Sequence, residues 1–130
     1  MNGYYLFPDV RDTRVIFVND DDLWEFNTGD RNVRKLAGGM GIITTPRFSR
    51  DGKWIAFRSA GSATQTSAEI YLMPSTGGET RRVTYFGSPL TSIAGWSPEG
   101  KLIVSTDFGM PFPGWKERSH NTCRGFCNEA

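Results

Sequence analysis

The feature that most narrows what this chain can fold into is a segment that occurs twice. Arg47-Phe48-Ser49-Arg50-Asp51-Gly52-Lys53-Trp54-Ile55-Ala56-Phe57-Arg58-Ser59 returns in outline as Trp96-Ser97-Pro98-Glu99-Gly100-Lys101-Leu102-Ile103-Val104-Ser105. Phe48 falls on Trp96, Asp51 on Glu99, Gly52 on Gly100, Lys53 on Lys101 and Ile55 on Ile103, always 48 residues apart. A weaker copy lies upstream at Asp12-Thr13-Arg14-Val15-Ile16-Phe17-Val18. An acid and a glycine between an aromatic-ended segment and an apolar run supply the positive-φ positions of a tight β connection, so each copy reads as a hairpin.

The residues after the hairpin recur as well. Asp22-Leu23-Trp24-Glu25-Phe26 matches Glu69-Ile70-Tyr71-Leu72-Met73, Thr28-Gly29-Asp30 matches Thr76-Gly77-Gly78, and Arg34-Lys35-Leu36 matches Arg81-Arg82-Val83. Four short strands per unit, at a period of about 40 to 50 residues, is the pattern of β-propeller blades. Val15-Ile16-Phe17-Val18 is apolar at every position, which implies burial on both faces and hence stacked sheets.

In chain order, Tyr4 to Phe7 is expected as the innermost strand of a first blade, ended by Pro8-Asp9, with Arg14 to Asn19 as its second strand. Asp20-Asp21-Asp22 makes the turn into Leu23 to Phe26; it lacks the spaced oxygens, glycine and distal Glu of a calcium loop. Thr28-Gly29-Asp30 makes the next turn, and Val33 to Leu36 closes the blade. Ala37-Gly38-Gly39-Met40-Gly41 looks like a phosphate loop, but a β-rich segment comes after it where a phosphate cradle needs a helix N-terminus. It reads as an inter-blade crossover. The second blade is expected at Pro46 to Ser49, Trp54 to Ser59, Glu69 to Met73 and Thr80 to Phe86. Its long polar loop, Ala60 to Ala68, is the best placed segment for recognition, with Arg47 and Arg50 as further candidates for peptide contact. Arg34, Lys35, Arg81 and Arg82 read as protection of unpaired outer edges. A third unit opens at Ser92-Ile93-Ala94-Gly95-Trp96 and runs through Thr106; then Pro111 and Pro113 interrupt it, and its third and fourth strands are expected to be missing.

Composition sets few limits on function. With 15 Lys and Arg against 14 Asp and Glu, no global field draws the chain to nucleic acid or an anionic membrane. The opening residues lack the basic and apolar regions of a secretory signal, and no apolar run approaches bilayer-spanning length, which predicts a cytoplasmic protein. Cys123 and Cys127 both lie near the end of the chain, so no disulfide framework is expected; with His120 they make three ligands where a structural zinc site needs four.

With Val15-Ile16-Phe17-Val18, Asp22-Leu23-Trp24-Glu25, Arg47-Phe48-Ser49-Arg50-Asp51-Gly52-Lys53, Arg82-Val83-Thr84-Tyr85-Phe86 and Leu102-Ile103-Val104-Ser105-Thr106-Asp107 in view, the chain resembles the N-terminal propeller of tricorn proteases from about Tyr4 to Phe112. The hairpin motif alone is similar to TolB-type propeller repeats. The resemblance implies a large, hexameric, cytoplasmic serine peptidase that trims peptides released by the proteasome. It also implies a first, six-bladed propeller that serves as a passage beside the active chamber. A second propeller, a PDZ-like domain and the catalytic domains would come next; they have no counterpart in this sequence, and no catalytic Ser, His or acidic residue of the family maps onto it.

The reading is therefore an all-β chain, a β-propeller fragment of about two and a half four-stranded antiparallel blades: residues 1–38, 39–88, a partial blade at 89–117 and an irregular tail at 118–130. No residue is expected to be catalytic or to bind a cofactor or metal. The expected role is structural, channelling substrates or products of peptide degradation for the remaining domains of a tricorn-like peptidase. A stand-alone TolB-like module that binds proteins or peptides is the alternative. Because repeat arrays bury their cores between neighbours, the exposed end faces predict self-association, with two copies approximating one ring.

Overall fold

The computed structural model describes residues 4–61 and 67–107, and the backbone of 119–122. Its described residues form eleven strands and no helix. The first sheet holds β1 (Leu6–Arg11), β2 (Arg14–Asn19), β3 (Asp22–Asn27) and β4 (Val33–Ala37), hydrogen-bonded in that order. The second holds β5 (Ile42–Phe48), β6 (Trp54–Ala60), β7 (Ala68–Pro74) and β8 (Arg81–Arg82), again in sequence order. The third places β10 (Leu102–Thr106) between β9 (Ser92–Trp96) and β11 (Ser119–Thr122). Every pairing is antiparallel. The all-β expectation holds.

The turns owe their shapes to their residues. Asn19 pairs with Asp22 around Asp20 and Asp21, whose φ angles of 49° and 63° match the two left-handed positions of a hairpin whose twist suits its strands. The recurring hairpin is built on the same plan in its two copies, the second closing one residue earlier. The amides of Gly52 and Gly100, both at positive φ, donate 3.0 Å bonds to the carbonyls of Ser49 and Ser97. The Ser49 hydroxyl accepts from the Trp54 amide, and that of Ser97 from the Lys101 amide.

Two apolar layers hold the sheets face to face. Ile16, Val18, Leu23 and Ala37 meet Ile43, Phe48, Ile55, Phe57 and Met73 between the first and second sheets. Ala56, Ile70, Leu72 and Val83 meet Leu102 and Val104 between the second and third, with Ile93 and Trp96 alongside. Strand alternation sends Ile55 and Phe57 one way and Ala56 the other, so the middle sheet is buried on both faces. Polar clasps reinforce each step. Arg14 donates to Glu25 and to the Ser75 carbonyl, Arg34 to Glu25 and the Thr76 carbonyl, and Arg58 to the carbonyls of Thr91 and Pro89.

Four expectations need correction. The first strand does not end at Pro8-Asp9 but runs through them, with a register shift between Leu6 and Asp9 and Phe7 at φ 53°. The inner strand of the second sheet starts at Ile42 and bulges at Thr45-Pro46, Thr45 having φ 48°. In both, proline sits in a bulge, where its missing N–H breaks no ladder bond. The outer strand β8 spans two residues rather than Thr80 to Phe86. Beyond it the Thr84 hydroxyl, in place of a backbone carbonyl, accepts the Ile70 amide, and the chain peels away. Finally, the third unit does have a third strand: β11 pairs with β10 from Ile103–Thr122 to Thr106–Ser119.

Candidate functional site

The acid that opens the third strand of each full sheet has a specific task. Asp22 accepts the Gly39 amide at 3.2 Å and pairs with Lys35 at 2.5 Å. Glu69, with only 5% of its side chain exposed, accepts the amides of Phe86 and Gly87 at 3.2 and 2.6 Å and the Thr84 hydroxyl, and pairs with Arg82 at 3.2 Å. Each acid thus ties its outer strand and the crossover leaving it. Lys35 and Arg82, expected as edge protection, are held by these carboxylates, and Arg34 is held by Glu25. Arg81 is exposed. The basic residues are therefore committed to carboxylates within their own sheets more than to an outside partner.

One rim of the stack carries the repeated turns. The Ser49 hydroxyl and the Lys53 amide, donating at 2.6 and 3.0 Å, hold the Asp51 carboxyl below its ordinary 3.8. The backbone amide of Glu99 and the Ser97 hydroxyl likewise hold Glu99 below 4.5, with Arg50 and Lys101 adding smaller attractions. Arg50 is exposed in this rim and Arg47 is exposed on β5. The loop after β6 leaves from the opposite end of the sheet, about 20 Å away along a seven-residue strand. The structure therefore does not bring Arg47 or Arg50 together with that loop, of which residues 62–66 lie outside the described residues.

A third feature is the outer face of the first sheet. Tyr5, Pro8, Val15, Phe17, Phe26 and Val33 line an open apolar hollow of about 310 Å3, with the Tyr5 ring edge-on to Phe17 at 5.2 Å. Its lining is suited to apolar side chains, and the Tyr5 hydroxyl is the one ionisable group among these six residues. The sequence reading expected bare end faces on the stack but did not name the residues of this one, which the pairing register brings together.

The remaining candidates are quickly placed. The glycine-rich stretch after β4 leads into β5, as a crossover should. His120 occupies the β11 position opposite Ser105, while Cys123 and Cys127 lie outside the described residues. Among the described residues no group of three or more His, Cys, Asp or Glu could hold a metal ion, and no helix is long and apolar enough to cross a membrane.

Against known proteins, residues 2–119 match the family described as the tricorn protease N-terminal beta propeller domain. A tricorn-like protease N-terminal subunit from Sulfurisphaera tokodaii is 38% identical over 118 residues, which cover 90% of this chain and 60% of that one. The tricorn protease of Thermoplasma acidophilum is 37% identical over 118 residues, covering 86% of this chain and 11% of its own length. The crystal structure of the tricorn protease superposes with a TM-score of 0.83 at 35% identity, over 92% of this chain and 12% of that one. This chain thus spans less than two thirds of each of these relatives. From the three stacked sheets and the match along nearly their whole length, the chain belongs to the tricorn protease N-terminal beta propeller domain family.

Proposed function

We propose that the chain is a non-catalytic propeller part of a tricorn-type peptidase, serving structure and the passage of peptides rather than their cleavage. It works in the cytoplasm, within an oligomer completed by the remaining domains of the enzyme. The observation that supports this most is the match over residues 2–119 to that propeller domain, in a segment that covers only 11–12% of full-length tricorn proteases. A relative named as an N-terminal subunit supports the further point that such a segment can belong to a separate chain.

The test mixes the full chain with a tricorn-type peptidase lacking the segment that corresponds to residues 2–119. The chain alone should hydrolyse no fluorogenic peptide, and the two should co-elute with peptidase activity raised over that of the shortened enzyme. Turnover by the chain alone, with labelling by a serine-directed probe, would overturn the reading. Peptide binding by the isolated chain without co-elution would replace it with the stand-alone module.

A further inference from the structure

The bulge in β5 decides where one arginine points. Counted on from Thr44 opposite Arg58 without the extra residue, Arg47 would stand opposite Ile55, which is wholly buried between the first and second sheets. The bulge at Thr45-Pro46 sets it opposite Ala56 instead, on the face turned to the third sheet, and leaves it exposed. The corresponding bulge in β1 aims Asp9, whose carboxylate accepts the Phe48 amide of the next inner strand at 2.8 Å. Arg47 holds the post after Pro46 that Asp9 holds after Pro8, yet a guanidinium only donates. Its one bond among the described residues is a 3.5 Å contact to the carbonyl of its neighbour Pro46, and no carboxylate among them pairs with it.

Two further donors lie on the same seam. Trp54 opens β6 two residues before Ala56, so alternation puts it on the same face as Arg47, a diagonal neighbour within reach of a long side chain. Trp96 closes β9 opposite Leu102, and both tryptophans pack on the apolar layer between the second and third sheets. Their indole nitrogens are buried and have no acceptor among the described residues, whereas Trp24 donates to the Asn19 carbonyl at 3.3 Å. A buried indole N–H ordinarily finds a partner. This seam therefore has donors and wants an acceptor: a forked cation at its edge, with two N–H groups behind.

We infer that the seam between the second and third sheets binds the carboxylate of a peptide, taken by Arg47 at the exposed edge and by the indole N–H groups of Trp54 and Trp96 within. An ionised carboxylate accepts only, and its two oxygens match the guanidinium fork. Both tryptophan side chains are half-buried, so their rings reach the surface although their nitrogens do not. The inference rests on the proposed function in taking peptides as what reaches this inner edge.

Titration calorimetry of the full chain tests it, with tryptophan fluorescence as the local readout. The ligands are a short N-acetylated alanine peptide with a free C-terminus, its C-terminal amide, and that amide with one alanine replaced by glutamate. At least one carboxylate-bearing peptide should bind and shift the emission, and which one does tells a terminal from a side-chain carboxylate. The plain amide should bind at least about tenfold more weakly, and Arg47→Gln should weaken the carboxylate peptide by about as much. Arg47→Lys, which keeps the charge and loses the fork, should fall between. Trp54→Phe and Trp96→Phe, folded by circular dichroism, should each weaken binding too. The inference is overturned by a native chain that binds none of the three peptides, by equal binding of the plain amide, or by an affinity that Arg47→Gln leaves unchanged. An affinity that both tryptophan variants leave unchanged overturns it as well, assigning the indoles to internal water. Co-elution with the shortened peptidase is scored separately: its failure alongside intact carboxylate binding overturns the proposed function and not this site.

Discussion

At the scale of single residues, the most consequential groups are the two acids that organise the crossovers. Asp22 and Lys35 are thirteen residues apart, as are Glu69 and Arg82, and each pair closes within its own sheet. Glu69 is the more buried, and its removal would strand the Thr84 hydroxyl, two amides and the Arg82 charge. Glu69→Ala should therefore cost about 2–4 kcal/mol in urea unfolding, and Asp22→Ala clearly less. Asp51 carries a pH dependence of known sign. Its folded carboxyl titrates below the ordinary 3.8, so its contribution is complete above that value and fades as pH falls through the lower folded value. The stability difference between the native chain and Asp51→Asn should be constant above pH of about 5 and shrink in more acid solution. The repeat alignment had already matched the acids to each other and the bases to each other. It could not show that acid meets base, because that contact lies within a repeat and depends on the bulge that shifts register between Leu23 and Trp24.

At the scale of elements, strand order and most turns were legible, whereas the ends of inner strands were not. Pro8 looks like the end of a strand in sequence and Pro46 like the start of one, yet each sits in a bulge after a residue with left-handed φ, and the strand runs on both sides of it. A proline silences one amide only, and a bulge is the place where that amide has no partner to lose. The short β8 was equally hidden, since nothing in Thr80 to Phe86 announces that the Thr84 hydroxyl replaces a ladder bond. Arg47, Arg50 and the loop after β6 were each legible as exposed, but their separation at opposite ends of one sheet is a matter of topology. The crossover into β5 is open to a direct experiment. Gly41 has φ 89°, and a Cβ there would collide with the Ala60 carbonyl, while Gly39 has φ 69° with open space around it. Gly39→Ala should cost about 1 kcal/mol, the left-handed backbone alone, and Gly41→Ala at least about 2 kcal/mol more, read from thermal melting.

At the scale of the whole molecule, stability resides between sheets. Ile55, Ala56, Phe57, Ile70 and Met73 are almost wholly buried, and all belong to the middle sheet, which alone among the three has a partner sheet on both faces among the described residues. Each end sheet has one such partner. Sequence period and apolar runs made this stacking legible; the apolar hollow on the first sheet was not, because a row across four strands depends on pairing register rather than on any local pattern. Local opening is easiest where few apolar contacts must break. Amide hydrogen exchange on the full chain, tracked by mass spectrometry, tests this most directly. The β6 and β7 amides should exchange last, near the rate of global unfolding, with β4 and β9 opening earlier. Protection of β1 to β4 equal to or greater than that of β6 and β7 would contradict a molecule held together by the stacking of its sheets.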